Sequence, residues 1–359
     1  MLNKNYSFDL NEVLLPNIAI KSLVNELYRI GLSHYRFGNK NRSKLYNPYL
    51  VFTITSIVWF KFILLLIIIP ESNDMSIIFG DYSYFLGIRI QFNLFFYLLY
   101  LMTLISQIYH YWYYKHNIYP TYMKPFLMIS GIVSPKSIGL TDKQDILKLL
   151  KFTKSFLFVS KIIFSVLPSI GFIISFYPLA LNNTLPQLIL YSIPWSLLLS
   201  YSATCAARIN IWQMIYFTII CYYLKIKLIS IIKNKNQLRM FGSYRMRNIN
   251  IIKILKTLQS IHREIKEYNN NYWSQFLFWL CITFIPINAL LIYQIIFAKI
   301  NIIMRLLYIY AAIFIISMLY FPLNTASSLS TEANNLHKVM IGIFLRNNKY
   351  LNFHIKLKV

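Results

Sequence analysis

Residues 50–69 read LVFTITSIVWFKFILLLIII, twenty residues with a single charge, Lys61, closed by Pro70. A hydrocarbon layer roughly 30 Å thick takes about 20 apolar residues in a helix. Backbone groups in lipid must bond within their own segment, so a block of this length reads as a spanning helix. Five further apolar blocks follow, at 90–112, 156–179, 187–224, 272–297 and 306–321. The third holds Pro168 and Gly171, the fourth is broken at Arg208, and the fifth holds Pro286. The fourth has 38 residues, so as one helix it would be about 57 Å long. Its end is therefore expected to project into water. The expected fold is all-α, a polytopic transmembrane helical bundle with six spans.

Composition agrees. Apolar residues make up 57% of the chain and charged residues 13%, about half the usual share of a soluble domain. The formal charge of +25 would suit a nucleic-acid binder in a soluble protein. Here the basic residues lie between the apolar blocks, which makes topology the better explanation and nucleic acid no expected partner. An AT-biased genome, which would also explain the abundance of Ile, Asn, Lys, Tyr and Phe, accounts for part of the lysine content.

Thirty of the 36 Lys and Arg fall before the first block, in 113–155, in 225–271 and after the sixth block. Only Arg89, Lys299 and Arg305 fall on the other side, and Lys61, Lys161 and Arg208 fall within spans. Positive charge is retained on the cytoplasmic side. The expected organisation is thus a cytoplasmic segment 1–49, a bundle over 50–321 with cytoplasmic basic segments 113–155 and 225–271, and a cytoplasmic tail 322–359. Residues 1–36 lack the compact apolar core of a signal peptide, so the first spanning helix is expected to direct insertion. Asn182-Asn183-Thr184 is a glycosylation sequon on the side expected outside, although Asn5 and Asn41 open sequons on the other side.

Within 225–271, Ile251, Ile252, Ile254, Leu255, Leu258, Ile261 and Ile265 recur at helical spacing, with Lys253, Lys256, Arg263 and Lys266 on other faces. This predicts an amphipathic helix. Three readings stay open for it: a helix on anionic lipid, a contact with a neighbouring subunit, or an extension of the fourth and fifth spans.

No enzymatic motif is present. HExxH, GxSxG and GxxxxGK[ST] are all missing, and the six histidines are scattered. The eleven acids leave the spans almost without carboxylates, so a proton relay has nothing to use. Cys205, Cys221 and Cys281 lie in apolar segments with no metal spacing. No cofactor and no metal are expected. Lys161 and Arg208 can reach the cytoplasmic surface along their alkyl stems. Lys61 lies nearer mid-span, where a cation needs a partner or water. It is expected either to face an aqueous vestibule or to reach an interface.

The expected outer halves of the helices mix aromatic and amide groups: Gln91, Ser169, Tyr177, Tyr191, Trp195, Asn288, Tyr293, Gln294, Tyr308 and Tyr310. Apolar walls with a few orienting polar groups suit a small organic ligand. Tyr and Trp also collect at membrane interfaces for their own reasons.

Two local stretches add to the layout: LQSIHREIKEYNNNY over 258–272, leading into the fifth block, and NTASSLSTEANN over 324–335, leaving the sixth. With long basic segments after blocks two and four and short loops opposite, the chain resembles the arthropod gustatory and odorant receptor superfamily. The resemblance implies a taste-type chemoreceptor in the plasma membrane, a ligand-gated cation channel assembled as a homo- or hetero-tetramer. It also implies a seventh, pore-lining helix carrying Thr-Tyr, five residues, then Gln-Phe, a motif these 359 residues lack. Either the sequence is part of a longer protein or it is a six-helix member. The competing reading is a polytopic transporter or an orphan membrane protein. No matching halves of the kind transporters carry are evident.

Overall fold

The computed structural model describes residues 48–68, 73–81, 89–115, 125, 128, 135, 139–140, 142–180, 185–240, 244–298 and 302–347. Among these residues there is no strand. The helices are α1 (Pro48–Ile67), α2 (Asn73–Ile78), α3 (Arg89–Lys115), α4 (Lys143–Ala180), α5 (Ile193–Met240), α6 (Tyr244–Tyr268), α7 (Ser274–Phe297) and α8 (Ile302–Asn347). Five of them, α1, α3, α5, α7 and α8, are long and apolar enough to cross a membrane. A shorter apolar stretch, Pro168–Tyr177, lies in α4. The result is a multi-helix membrane bundle.

Local chemistry sets several boundaries. Pro48 opens α1, where its missing N–H costs nothing. Pro286 and Pro322 lie inside α7 and α8. Membrane helices tolerate such prolines because neighbouring groups satisfy the freed carbonyls. Leu185–Gln187 and a π-turn at Leu188–Ser192 lead into α5. A second π-turn, Asn269–Trp273, joins α6 to α7, with Tyr268, Trp273 and Ser274 all in right-handed helical conformation. The chain from Tyr244 to Phe297 is therefore one continuous rod.

α5 has 48 residues and α8 has 46, or about 72 and 69 Å. Each is more than twice the thickness of a hydrocarbon core. Their C-terminal halves, with α6 and the start of α4, build a helical body beyond any single crossing, at the end that carries the basic segments. We call this the basic end and the opposite one the distal end. The helix expected over 251–265 is part of this body. Ile261 is buried, and Ile254, Leu255, Leu258 and Ile265 pack on the main core. Lys256, His262, Arg263 and Lys266 are exposed. The apolar face of this helix is thus covered by its own chain, as an extension of the fifth span.

Two cores result. The larger joins α3, α4, α5, α6, α7 and α8 around Tyr223, Ile219, Leu280 and Ile287. The smaller lies toward the distal end and joins α1, α3, α5 and α8 through Val58, Phe62, Phe92, Phe96, Tyr100, Leu199, Ala206 and Tyr308, with Ala298. Lipid is as apolar as leucine, so close packing and interhelical hydrogen bonds hold such helices together. α3 and α5 carry several. Tyr100 Oη lies 2.7 Å from Ser202 Oγ. Asn210 donates through Nδ2 to Thr103 Oγ1 at 3.2 Å and accepts at Oδ1 from Ser106 Oγ at 3.3 Å. Where α4 meets α5, Ser200 Oγ donates to the Pro168 carbonyl at 2.8 Å. A Cβ on Gly171 would lie 3.6 Å from Ser200 Cα, which shows how closely these backbones approach.

At the basic end, Lys227 Nζ donates to Glu264 Oε2 at 2.8 Å and to Tyr223 Oη at 2.9 Å. Tyr268 donates to Glu264 Oε1 at 3.1 Å. This buried ion pair ties α5 to α6. Gly139, at φ +86°, covers it from the connection before α4, where a Cβ would lie 3.3 Å from Lys227 Cε. Lys225, two residues before Lys227, donates to Ser328 of α8.

Candidate functional site

The distal end holds the groups from which a site can be built. Lys61 is the fourteenth of the twenty residues of α1, six from its end at Ile67. That places it about 9 Å from the distal end of the helix. The side chain runs outward along the helix and is 7% exposed. Its Nζ donates to the carbonyl of Gly80 at 3.0 Å. It lies 4.1 Å from the centroid of the Trp195 ring and 5.6 Å from that of Phe62. A cation over an indole face in a desolvated setting contributes about 2 kcal/mol. Of the two placements expected for Lys61, the side chain reaches the distal connection and is covered by it.

That connection is built for closeness. Gly80 has φ +59°, a left-handed conformation that a side chain would strain. A Cβ there would lie 2.7 Å from Trp195 Cγ and 3.1 Å from Lys61 Nζ. The turn after α2 is closed by the Asp81 N–H donating to the Ser76 carbonyl at 2.7 Å. Trp195 Nε1 donates to the Ile78 carbonyl at 2.9 Å, which fixes the indole from below. The fully buried Asp81 carboxylate accepts from Arg89 at 2.5 Å and also acts electrostatically on Lys61. The short α2 segment is thus locked over the ends of α1, α3 and α5 by two cations, one carboxylate and one indole.

Below this cap lies an aromatic stack. Phe62 stacks on Phe96 at 5.0 Å and on Tyr100 at 5.8 Å, and Trp59 stacks on Tyr97 at 5.8 Å. Tyr177, Trp195 and Tyr308 border or join this cluster. Gln294 is 1% exposed, one turn before Ala298 of the same cluster. Asn288 is buried deeper in α7, with Nδ2 donating to the Phe284 carbonyl at 3.0 Å. Gln91 and Tyr191 are half-buried. Ser169, Tyr293 and Tyr310 are exposed on the flanks of their helices, Tyr293 against Phe297. The structure therefore brings together Lys61, Tyr177, Trp195, Gln294 and Tyr308 and leaves those three outside. Asn182 lies outside the described residues, as do the side chains of Lys161 and Arg208.

Two members of the site were not singled out from the sequence. Asn93 is 1% exposed and lies in sequence between the buried Phe92 and Phe96, and Trp59 stacks on Tyr97 of the same helix. The spacing of Phe92, Phe96 and Tyr100 marks the buried face of α3, and that face takes in Asn93 more fully than Gln91.

Among the described residues, no three His, Cys, Asp or Glu side chains gather as a metal site would require. The distal cluster thus combines stacked aromatic rings, buried amide and hydroxyl groups, and a cap over one end. No protein-family model and no curated protein matches the sequence. In fold, the chain is similar to the structure of the insect olfactory receptor OR5 from Machilis hrabei. The likeness has a TM-score of 0.57 and 16% sequence identity, and covers 90% of this chain and 83% of that one.

Proposed function

We propose that this chain is a chemoreceptor of the insect olfactory and gustatory receptor superfamily, a subunit of a ligand-gated cation channel. The observation that carries the reading is the shared fold with an insect olfactory receptor across nine-tenths of the chain. The sequence supports it independently. The distribution of positive charge favours a cytoplasmic N-terminus, and 258–272 and 324–335 resemble the gustatory branch.

In this reading a small organic molecule binds in the distal cluster, walled by Phe62, Phe92 and Phe96 and oriented by Gln294 and Tyr308. The pore-lining helix and the tetrameric assembly, homo- or hetero-, rest on the resemblance alone, as do the plasma-membrane location and the taste-type subclass. Binding energy reaches the rest of the molecule through α5 and α8, which run from the distal cluster to the basic end as single helices. A ligand shifts the conformational balance only as far as it prefers one state over the other.

The test is ligand binding to the purified full chain in lipid nanodiscs, read as a shift in melting temperature across a panel of small volatile and soluble tastants. Stabilisation by at least one class, lost on Tyr308→Phe, is the expected result. A panel that leaves the melting temperature unchanged throughout counts against the reading.

A further inference from the structure

The exposed face of α4 changes character within a single turn. Phe158, Val159, Ile162 and Val166 stand exposed on it, Phe158 at 60%. Toward the start of the helix the same face carries Lys154, Lys151 and Lys148, all exposed. At 3.6 residues per turn these seven positions fall within an arc of about 140°. The other side of the helix, with Leu149, Leu150, Thr153 and Ser160, is buried. A face that passes from large apolar groups to lysines fits the boundary between hydrocarbon and headgroups. Side chains on a helix lean toward its N-terminus, so Lys154 reaches away from Phe158 toward the basic end.

The exposed faces of α7 and α8 leave their apolar stretches differently. On α8, Ile316, Tyr320 and Leu323 give way to Ser327, Ser330 and Asn334. On α7, Phe278 gives way to Gln275 and Ser274. Both change to neutral groups, whereas α4 changes to three cations. Residues three apart on a helix are neighbours, so Lys148, Lys151 and Lys154 repel one another. The one acid of α4, Asp145, is buried. Asp142, just before the helix, accepts from the Gln144 N–H at 3.0 Å. The three lysines are spread over about 9 Å of helix axis. A headgroup with more than one phosphate can meet all three, and a single phosphate cannot.

We infer that this face of α4 binds a polyphosphorylated phospholipid of the cytoplasmic leaflet. Its acyl chains lie along Phe158, Val159 and Ile162, and its phosphates meet Lys148, Lys151 and Lys154. Anionic lipid of that leaflet attracts lysines that flank a spanning helix. The inference rests on the proposed cytoplasmic side of the basic end. It does not depend on what binds in the distal cluster.

The experiment uses the purified full chain in phosphatidylcholine nanodiscs and a fluorescent short-chain phosphatidylinositol bisphosphate. Competitors are the unlabelled lipid, short-chain phosphatidylserine and free inositol trisphosphate. The bisphosphate lipid is expected to bind at least about tenfold more tightly than either of the others. Lys148→Gln, Lys151→Gln and Lys154→Gln together are expected to weaken it about a hundredfold, at roughly fivefold per lysine. Arginine at the same three positions should keep the affinity. Lys256→Gln, Arg263→Gln and Lys266→Gln remove as much charge from exposed positions on α6 and should leave it unchanged. All six side chains are exposed, so the lipid-free melting temperature should stay the same in every variant. Phosphatidylserine binding as tightly overturns the polyphosphate assignment. Inositol trisphosphate binding as tightly overturns the lipid as its source. An equal loss in the α6 variant reduces the effect to general attraction, and no binding at all refutes the site. Each of these four outcomes leaves the chemoreceptor reading standing.

Discussion

Lys61 and Trp195 meet as cation and ring, 4.1 Å apart, at the point where the first distal connection closes over α1 and α5. Gly80 completes the contact, its carbonyl on the ammonium and its missing Cβ making room for the indole. An alanine there meets both a left-handed backbone and a 2.7 Å clash. Gly80→Ala is expected to destabilise the fold by at least 1–2 kcal/mol, the usual cost of the left-handed conformation for a residue with a Cβ. Faster amide exchange confined to 73–81, with a lowered melting temperature, is the measurement that shows it. Unchanged exchange would mean that the cap is held elsewhere.

Trp195→Leu removes the ring from Lys61 and leaves the Ile78 carbonyl without its donor. The lost cation–π contact costs about 2 kcal/mol, and the loss of the exposed bond to Ile78 adds less than a buried one would. Thermal denaturation checks the size of the effect. Trp195→Phe, which keeps a ring but not the N–H, is expected to recover part of it.

At the other end, Lys227 and Glu264 form a pair whose side chains are 10% and 8% exposed. Removing one partner strands a buried charge, so Lys227→Met or Glu264→Leu is expected to cost about 3–5 kcal/mol. The double variant Lys227→Met with Glu264→Leu should recover most of that loss. A double-mutant cycle on the melting free energy measures the coupling. Additive losses would contradict the pairing.

Asn210 bonds α5 to α3 through both ends of its amide. Interhelical bonds of this kind contribute about 0.6–1.7 kcal/mol in membrane proteins. Asn210→Leu is expected to lose that much, and Tyr100→Phe a similar amount through Ser202. Unfolding in mixed detergent reads both.

The cytoplasmic N-terminus we propose from the charge distribution is a topology that protease protection can read. An epitope at Met1 is expected to be protected in intact cells, and one inserted between Pro70 and Arg89 is expected to be cleaved from outside. The reverse pattern would invert the molecule and place the ligand cluster on the cytoplasmic side.

Much of the bundle was legible in the sequence because length and apolarity act locally. The run from Leu50 to Ile69 contains its own reason to be a helix, and the 3.6-residue period from Ile251 to Ile265 contains its own buried face. What covers that face was not legible, because three surfaces would satisfy the same pattern. The π-turn that carries α6 into α7 settles it, and π-turns have no sequence signal of comparable strength. Lys61 shows the same limit. Its cost in an apolar helix follows from charge alone, while its answer comes from Gly80, nineteen residues on, and from Trp195 on another helix. Gln91 and Asn93 are two residues apart in one apolar run. Only the packing partners of α3 decide which of them the core takes in, and they decide for Asn93.

The most direct measurement is a patch-clamp record from cells expressing the full-length protein, made while applying compounds already shown to stabilise it. A cation current that rises with ligand concentration and falls away in Tyr308→Phe is the expected result. Compounds that bind and stabilise the protein without ever changing its conductance would contradict the channel claim.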